Sequence, residues 1–246
     1  MRVLALIAAA LAFPCMLILA SVVVALRRQV PRVSFRTIWV FLGLGVVMIL
    51  LHGVSSWFWK PLFFGRVGYG FYGAFVEAAI PEEGLRYLVI RWALARRPVT
   101  NLVTSMLLGS IVGLTFGAYE HCDYLWSSGW LVWLARSFTS VPYHTLAGAI
   151  LGYCAAIAIR TRRPWGIAGL AFMVLVHGLG NWSFLDTTVD EQPITFVTSG
   201  WAGNVAAFAV AAVLAAVLYR NARKTDAARA EPSDARKSPV GRKFES

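Results

Sequence analysis

The sequence predicts an all-α fold, a polytopic transmembrane helical bundle of about seven spans. Three observations carry that prediction. Of the 246 residues, 58% are hydrophobic and only 14% are charged, whereas a soluble domain carries about 25% charged residues. The apolar residues gather into runs of about the 20 residues that a helix needs to cross a bilayer. The basic residues sit between those runs and fall mostly on one side of the alternation.

The expected spans cover residues 3–26, 38–58, 68–95, 101–125, 138–159, 165–185 and 195–219. The first reads as a retained span. Its apolar run, Val3 to Leu26, is 24 residues long and is followed by Arg27 and Arg28, well beyond the ~7–15 residues of a signal-peptide core. The third contains Pro81 and reads as a re-entrant or interfacial piece up to Ile80, followed by a true helix. Residues 129–136, GWLVWLAR, read as a short interfacial helix before the fifth span.

The loops after spans one, three, five and seven, with the segment beyond the last, hold 18 of the 23 Lys and Arg residues. Arg2, Lys60, Arg66 and Arg136 fall on the other side, and Arg86 lies inside a span. The positive-inside bias therefore predicts an outside N-terminus and a cytoplasmic C-terminus. Residues 1–220 form one transmembrane domain on this reading. Residues 221–246 mix both charges with Pro and Ser, lack an apolar face, and are expected to be a disordered basic cytoplasmic tail. The basic residues form no patch interleaved with aromatics, so they speak for topology rather than for nucleic acid. Cys15, Cys122 and Cys154 lack CxxC spacing and support neither a disulfide framework nor a cysteine zinc site.

The informative residues are the polar ones that remain in the spans: Glu77, Glu82, Glu83, Arg86, Glu120, His144, His177 and Asn181. A charge at mid-bilayer costs about 2.5–3.5 kcal/mol on insertion scales, so such residues are functional candidates. With a rise of about 1.5 Å per residue, Glu83, Glu120, His144 and His177 lie about 20, 28, 24 and 20 Å above the cytoplasmic ends of their helices. In a hydrocarbon core about 30 Å thick, all four fall in the outer half. Helix faces agree with this convergence. Arg86 is four residues from Glu82 and three from Glu83, within reach of either. Ser105, Gly109, Gly113 and Gly117 recur every fourth residue ahead of Glu120, and His144, Gly148 and Gly152 repeat the pattern, giving stripes that let helices approach closely. His177 and Asn181 share one face. Glu77 reads as solvated in the outer interface, and His52 and His121 as interfacial.

Carboxylates and imidazoles suit Zn²⁺ or a similar divalent ion. Hydrolysis inside a membrane needs a water that is held and deprotonated, which a metal and a nearby glutamate achieve together. Asn181 is placed to donate a hydrogen bond to a developing oxyanion.

Four motifs in this order, PEEGLR at 81–86, GLTFGAYE at 113–120, PYHTLAGAILGY at 142–153 and HGLGN at 177–181, resemble the PrsW-type intramembrane proteases. Those are distant relatives of the CAAX-protease (CPBP) group. The resemblance covers about residues 80–185, the motif-bearing core. It implies a glutamate- and metal-dependent peptidase of the bacterial plasma membrane that cuts other membrane proteins, typically a single-pass anti-sigma factor, near the extracytoplasmic side. Carried over by motif, Glu82 and Glu83 fall on the paired glutamates, Glu120 on the second-motif glutamate, and His144 and His177 on the two histidines. The expected assignment has Glu82, Glu83, Arg86 and Asn181 as catalytic, with Glu120, His144 and His177 holding a divalent metal, zinc by ligand type. Arg86 stands where the family more often has Lys, and His121 where Asn is expected. The rival readings are a proton- or ion-coupled transporter and a non-catalytic scaffold or immunity protein of the same fold. A transporter would show related repeats, which are not evident, and no span contains a lysine for a retinal Schiff base.

Overall fold

A computed structural model describes residues 33–63, 69–96, 101–128, 130–185 and 193–230, with isolated helical positions between 18 and 28. The first expected span, 3–26, lies otherwise outside the described residues. The elements are α1 (Phe35–Phe63), α2 (Tyr69–Tyr72), a π-helical stretch (Gly73–Ala79), α3 (Ile80–Arg96), α4 (Leu102–Ser128), α5 (Trp130–Thr161), α6 (Trp165–Leu185) and α7 (Pro193–Ala230). Among the described residues, five stretches are long and apolar enough to cross a membrane: Phe35–Trp57, Leu102–Asp123, Arg136–Thr161, Trp165–Trp182 and Ala202–Arg229. The protein is an all-α polytopic membrane bundle with these five apolar spanning helices. α3 is not among them: it is 17 residues long and carries Glu82, Glu83, Arg86, Arg91 and Arg96.

α4 and α5 form the centre. Their spanning stretches are 78% and 67% buried, against 22%, 33% and 17% for α1, α6 and α7. The glycine stripes are the reason. A Cβ at Gly109 would run into the Gly148 carbonyl, one at Gly113 into the His144 carbonyl, and one at Gly152 into the Ser105 carbonyl. Only backbones without side chains pack this closely, and dispersion across that seam is what holds helices together where lipid competes equally for apolar surface. The outer helices leave Trp39, Leu50, Trp57 and Val213 exposed, as surfaces bathed in hydrocarbon do.

Three departures from the sequence reading have local causes. Pro81 does not separate a re-entrant piece from a helix; winding is continuous from Tyr69 to Arg96. Proline lacks an amide hydrogen and its ring crowds the carbonyl four residues back. Here that carbonyl belongs to Glu77, within the wider π-helical turns. The interfacial helix expected over 129–136 is instead, from Trp130 onward, the first part of α5, with Pro142 inside it. Finally, α7 continues to Ala230, into the stretch expected as a disordered tail. Ala222 is fully buried there, and Asp226 accepts the Leu102 amide through Oδ1 at 3.0 Å and the Val103 amide through Oδ2 at 3.1 Å. With Asn101 Oδ1 accepting the Thr104 amide at 3.0 Å, three of the orphan donors that open a helix are satisfied. Residues 231–246 lie outside the described residues.

Candidate active site and metal centre

Each polar side chain arrives on its own helix. α3 delivers Glu82, Glu83 and Arg86 from its first two turns. α4 delivers Glu120, α5 His144, and α6 His177 and Asn181. The α4–α5 glycine seam sets Glu120 beside His144, and Gly178 lies flat against the Phe75 ring of the π-helical stretch, which draws α6 onto the segment leading into Glu82.

Glu83 and Arg86 are wholly buried and ion-paired through Oε2 and Nη1. The other Glu83 oxygen lies 2.8 Å from His177 Nδ1. Arg86 Nη2 lies 2.7 Å from His144 Nδ1. A guanidinium only donates, so Nδ1 accepts, and the proton of the neutral ring sits on Nε2. That nitrogen lies 2.7 Å from Glu120 Oε2. Glu120 is further held by the Ser140 hydroxyl at 2.7 Å and by Arg136 Nη1 at 3.2 Å. Carboxylates, guanidiniums and imidazoles thus alternate from Glu83 through Arg86, His144 and Glu120 to Arg136. Buried charges arranged this way compensate one another, whereas removing one leaves its neighbour exposed to the low dielectric.

Glu82 is different. Its Oε1 is 3.9 Å from His52 Nε2, its Oε2 is 3.8 Å from His177 Nε2, and Oε2 is buried without a hydrogen-bond partner. Ligand atoms of Glu82, His144 and His177 all lie within 4.8 Å of one another. Two histidines, one carboxylate and an open position are a donor set used by catalytic zinc. Because Glu83 takes Nδ1 of His177, the Nε2 lone pair is left pointing toward Glu82; a carboxylate behind a ligating histidine is the usual supporting partner. His144 has both nitrogens engaged and can offer one only by releasing Arg86 or Glu120. The buried, unpartnered Glu82 oxygen and this donor chemistry fit a divalent cation.

Glu82, Glu83, Arg86, Glu120, His144 and His177 therefore lie together in one cluster. Asn181 joins them by lining, with Glu120, Tyr143, His144 and His177, a cleft of about 10 Å³, room for about one water. The compact triad contains Glu82, while Glu120 stands on the far side of His144. Four contributors were not anticipated. Arg136, expected on the outer side at the end of an interfacial helix, is 5% exposed and bonds Glu120. Ser140 lies one turn from both Arg136 and His144, an i, i+4, i+8 spacing that the sequence displays. His52 approaches Glu82 from α1. Tyr143 stacks edge-on against His144 and His177, with centroids 5.4 and 5.3 Å away, and its buried hydroxyl has no partner. His121 stays apart, its Nε2 3.2 Å from the Ser137 hydroxyl and its ring on Trp133.

Comparison with known proteins accords with this geometry. The family model described as PrsW family intramembrane metalloprotease matches residues 30–218. No curated protein and no solved structure matches.

Proposed function

The chain belongs to the PrsW family of intramembrane metalloproteases, and from that premise we propose that it hydrolyses a peptide bond of another membrane protein within the bilayer. The substrate class favoured is a single-pass protein, such as an anti-sigma factor, cut near the extracytoplasmic side. The depth of Glu83, Glu120, His144 and His177 along their helices supports that side, as does the arginine bias toward the opposite end of the bundle. The observation carrying the reading is the convergence of Glu82, His144 and His177 within 4.8 Å around a buried carboxylate oxygen that has no partner.

On this reading Glu82, His144 and His177 would hold a divalent ion, zinc by ligand type. When bound, it lowers the pKa of a coordinated water and polarises the scissile carbonyl. Glu83 keeps Nδ1 of His177 occupied and so fixes which nitrogen faces the site. Arg86 ties that carboxylate to the His144 ring. As a ligand through Nε2, His144 would give up its bond to Glu120, whose carboxylate would remain held by Arg136 and Ser140. Glu120 lines the water-sized cleft, so it takes the proton of the attacking water. The water oxygen bonds to the carbonyl carbon, the C–N bond breaks, and Glu120 returns its proton to the leaving amine. Asn181 and the Tyr143 hydroxyl donate to the oxygen that gains charge. This allocation exchanges Glu120 with Glu82 relative to the sequence-based assignment, because Glu82 is the glutamate that forms the compact triad.

The test is cleavage of a single-pass membrane protein in proteoliposomes by wild type, His177→Ala and Glu120→Gln, with and without chelator. Cleavage by wild type alone, abolished by chelator, is expected. Equal cleavage by His177→Ala would remove the basis of the reading.

A further inference from the structure

At the end of the bundle opposite the glutamates, a cleft of about 540 Å³ opens between α3, α5 and the start of α6. Its floor is Tyr87 and Gly166. A Cβ at Gly166 would collide with the Tyr87 hydroxyl, so glycine lets α6 begin directly over the ring. Its walls carry three arginines, Arg91, Arg162 and Arg163. Arg91 reaches the Tyr87 hydroxyl at 3.4 Å, and among the described residues none of the three forms an ion pair.

Arg162 closes α5, its amide bonded to the Ala158 carbonyl at 3.0 Å. Arg162 has φ 54°, a left-handed conformation uncommon for a residue with a side chain. That turn joins α5 to α6 across only Arg162, Arg163 and Pro164 and sets two consecutive guanidiniums on the rim. Just beyond it α6 starts, with Ile167 and Ala168 amides bonded to the Pro164 carbonyl at 2.9 and 3.1 Å. The positive end of the α6 dipole therefore adds to the three cations. Three guanidiniums without an ion pair among the described residues, a helix N-terminus and a cleft of headgroup size are complementary to a phosphate. Arginine forks match phosphate oxygens in geometry as well as charge.

We propose that this cleft binds one phosphate-bearing anion and that the source is the headgroup of an anionic membrane lipid. Free phosphate shares the chemistry, but the surroundings favour a lipid. Ile167 in the cleft lining and Trp165, between the lining residues Pro164 and Gly166, are 66% and 55% exposed, an aromatic and apolar margin suited to the membrane interface. Basic pockets between transmembrane helices are recognised seats for lipid headgroups. The cleft shares no lining residue with the cleft beside Glu120, His144 and His177, and the proposal does not depend on the proteolytic reading.

The experiment follows thermal unfolding of the detergent-solubilised full chain by tryptophan fluorescence, titrated with short-chain phosphatidylglycerol, short-chain phosphatidylcholine or inorganic phosphate. Saturable stabilisation by phosphatidylglycerol is expected, with little response to the other two at the same concentration. The Arg91→Gln/Arg162→Gln/Arg163→Gln variant should require at least about tenfold more phosphatidylglycerol. Removing three cations elsewhere, by Arg220→Gln/Arg223→Gln/Lys224→Gln, should leave the response at wild-type level. The cleft variant alters only solvent-exposed side chains, and its unliganded midpoint reports whether it folds. Equal phosphatidylglycerol responses of wild type and the cleft variant, or an equal loss in the control variant, would overturn the site. Stabilisation by inorganic phosphate as strong as by phosphatidylglycerol would overturn the lipid as its source.

Discussion

His177 presents its two nitrogens to two adjacent glutamates: Nδ1 lies 2.8 Å from Glu83 Oε1, and Nε2 lies 3.8 Å from Glu82 Oε2. The neighbours in sequence are thereby given opposite environments. Glu83 has both oxygens occupied, whereas Glu82 Oε2 has no hydrogen-bond partner.

Stability should separate them. Glu83→Gln removes the counter-charge of a wholly buried Arg86 and should cost about 3–5 kcal/mol. With chelator present, so that no bound ion contributes, Glu82→Gln removes a buried charge whose Oε2 has no hydrogen-bond partner and should leave the chain as stable as wild type or more so. Thermal unfolding in detergent reads both. A larger loss for Glu82→Gln than for Glu83→Gln would contradict the pairing.

Tyr143→Phe should separate stability from activity. Its hydroxyl is buried without a partner, so deletion removes an unsatisfied group and should not lower the unfolding midpoint. If the hydroxyl donates to the developing oxyanion, kcat should fall about 100-fold with little change in KM. Unchanged kcat would restrict Tyr143 to packing.

The α4–α5 seam makes a steric prediction. Gly113 faces the backbone carbonyl of His144, so Gly113→Ala must push apart the two helices that align Glu120 with His144. Overpacking of this kind costs about 1–3 kcal/mol, and cleavage should fall with it. Gly53, with nothing near its missing Cβ, serves as the control: Gly53→Ala should lower neither stability nor cleavage.

Asp226 should matter more than its place near the C-terminal end of α7 suggests. It accepts two amides that open α4, and Asp226→Ala should destabilise the protein by about 1 kcal/mol. Truncation before residue 226 should match that loss, whereas truncation after residue 230 should not.

Much of the site was legible in the sequence because its signals are local and periodic. Glycines every fourth residue gave the seam, and the motif order gave the residues that meet. What escaped depended on rotation and continuity. Glu82 and Glu83 are successive on a helix, and Arg86 could have met either; only the orientation of α3 against α5 and α6 decides that Arg86 pairs with Glu83. Arg136 was read as an outer-side topology charge because the apolar run seemed to begin at 138. Continuous winding from Trp130 carries it onto Glu120 instead. Polar residues beyond 220 looked like a solvated tail, since no apolar periodicity reveals a carboxylate that caps a helix 123 residues earlier.

The most direct measurement is the metal content of purified protein, by elemental analysis, for wild type, Glu82→Gln, His177→Ala and Glu120→Gln. Wild type should retain about one divalent ion per chain, Glu82→Gln and His177→Ala should lose it, and Glu120→Gln should keep it while cleavage falls at least about 100-fold. An ion that survives Glu82→Gln and departs with Glu120→Gln would contradict the triad as the binding centre.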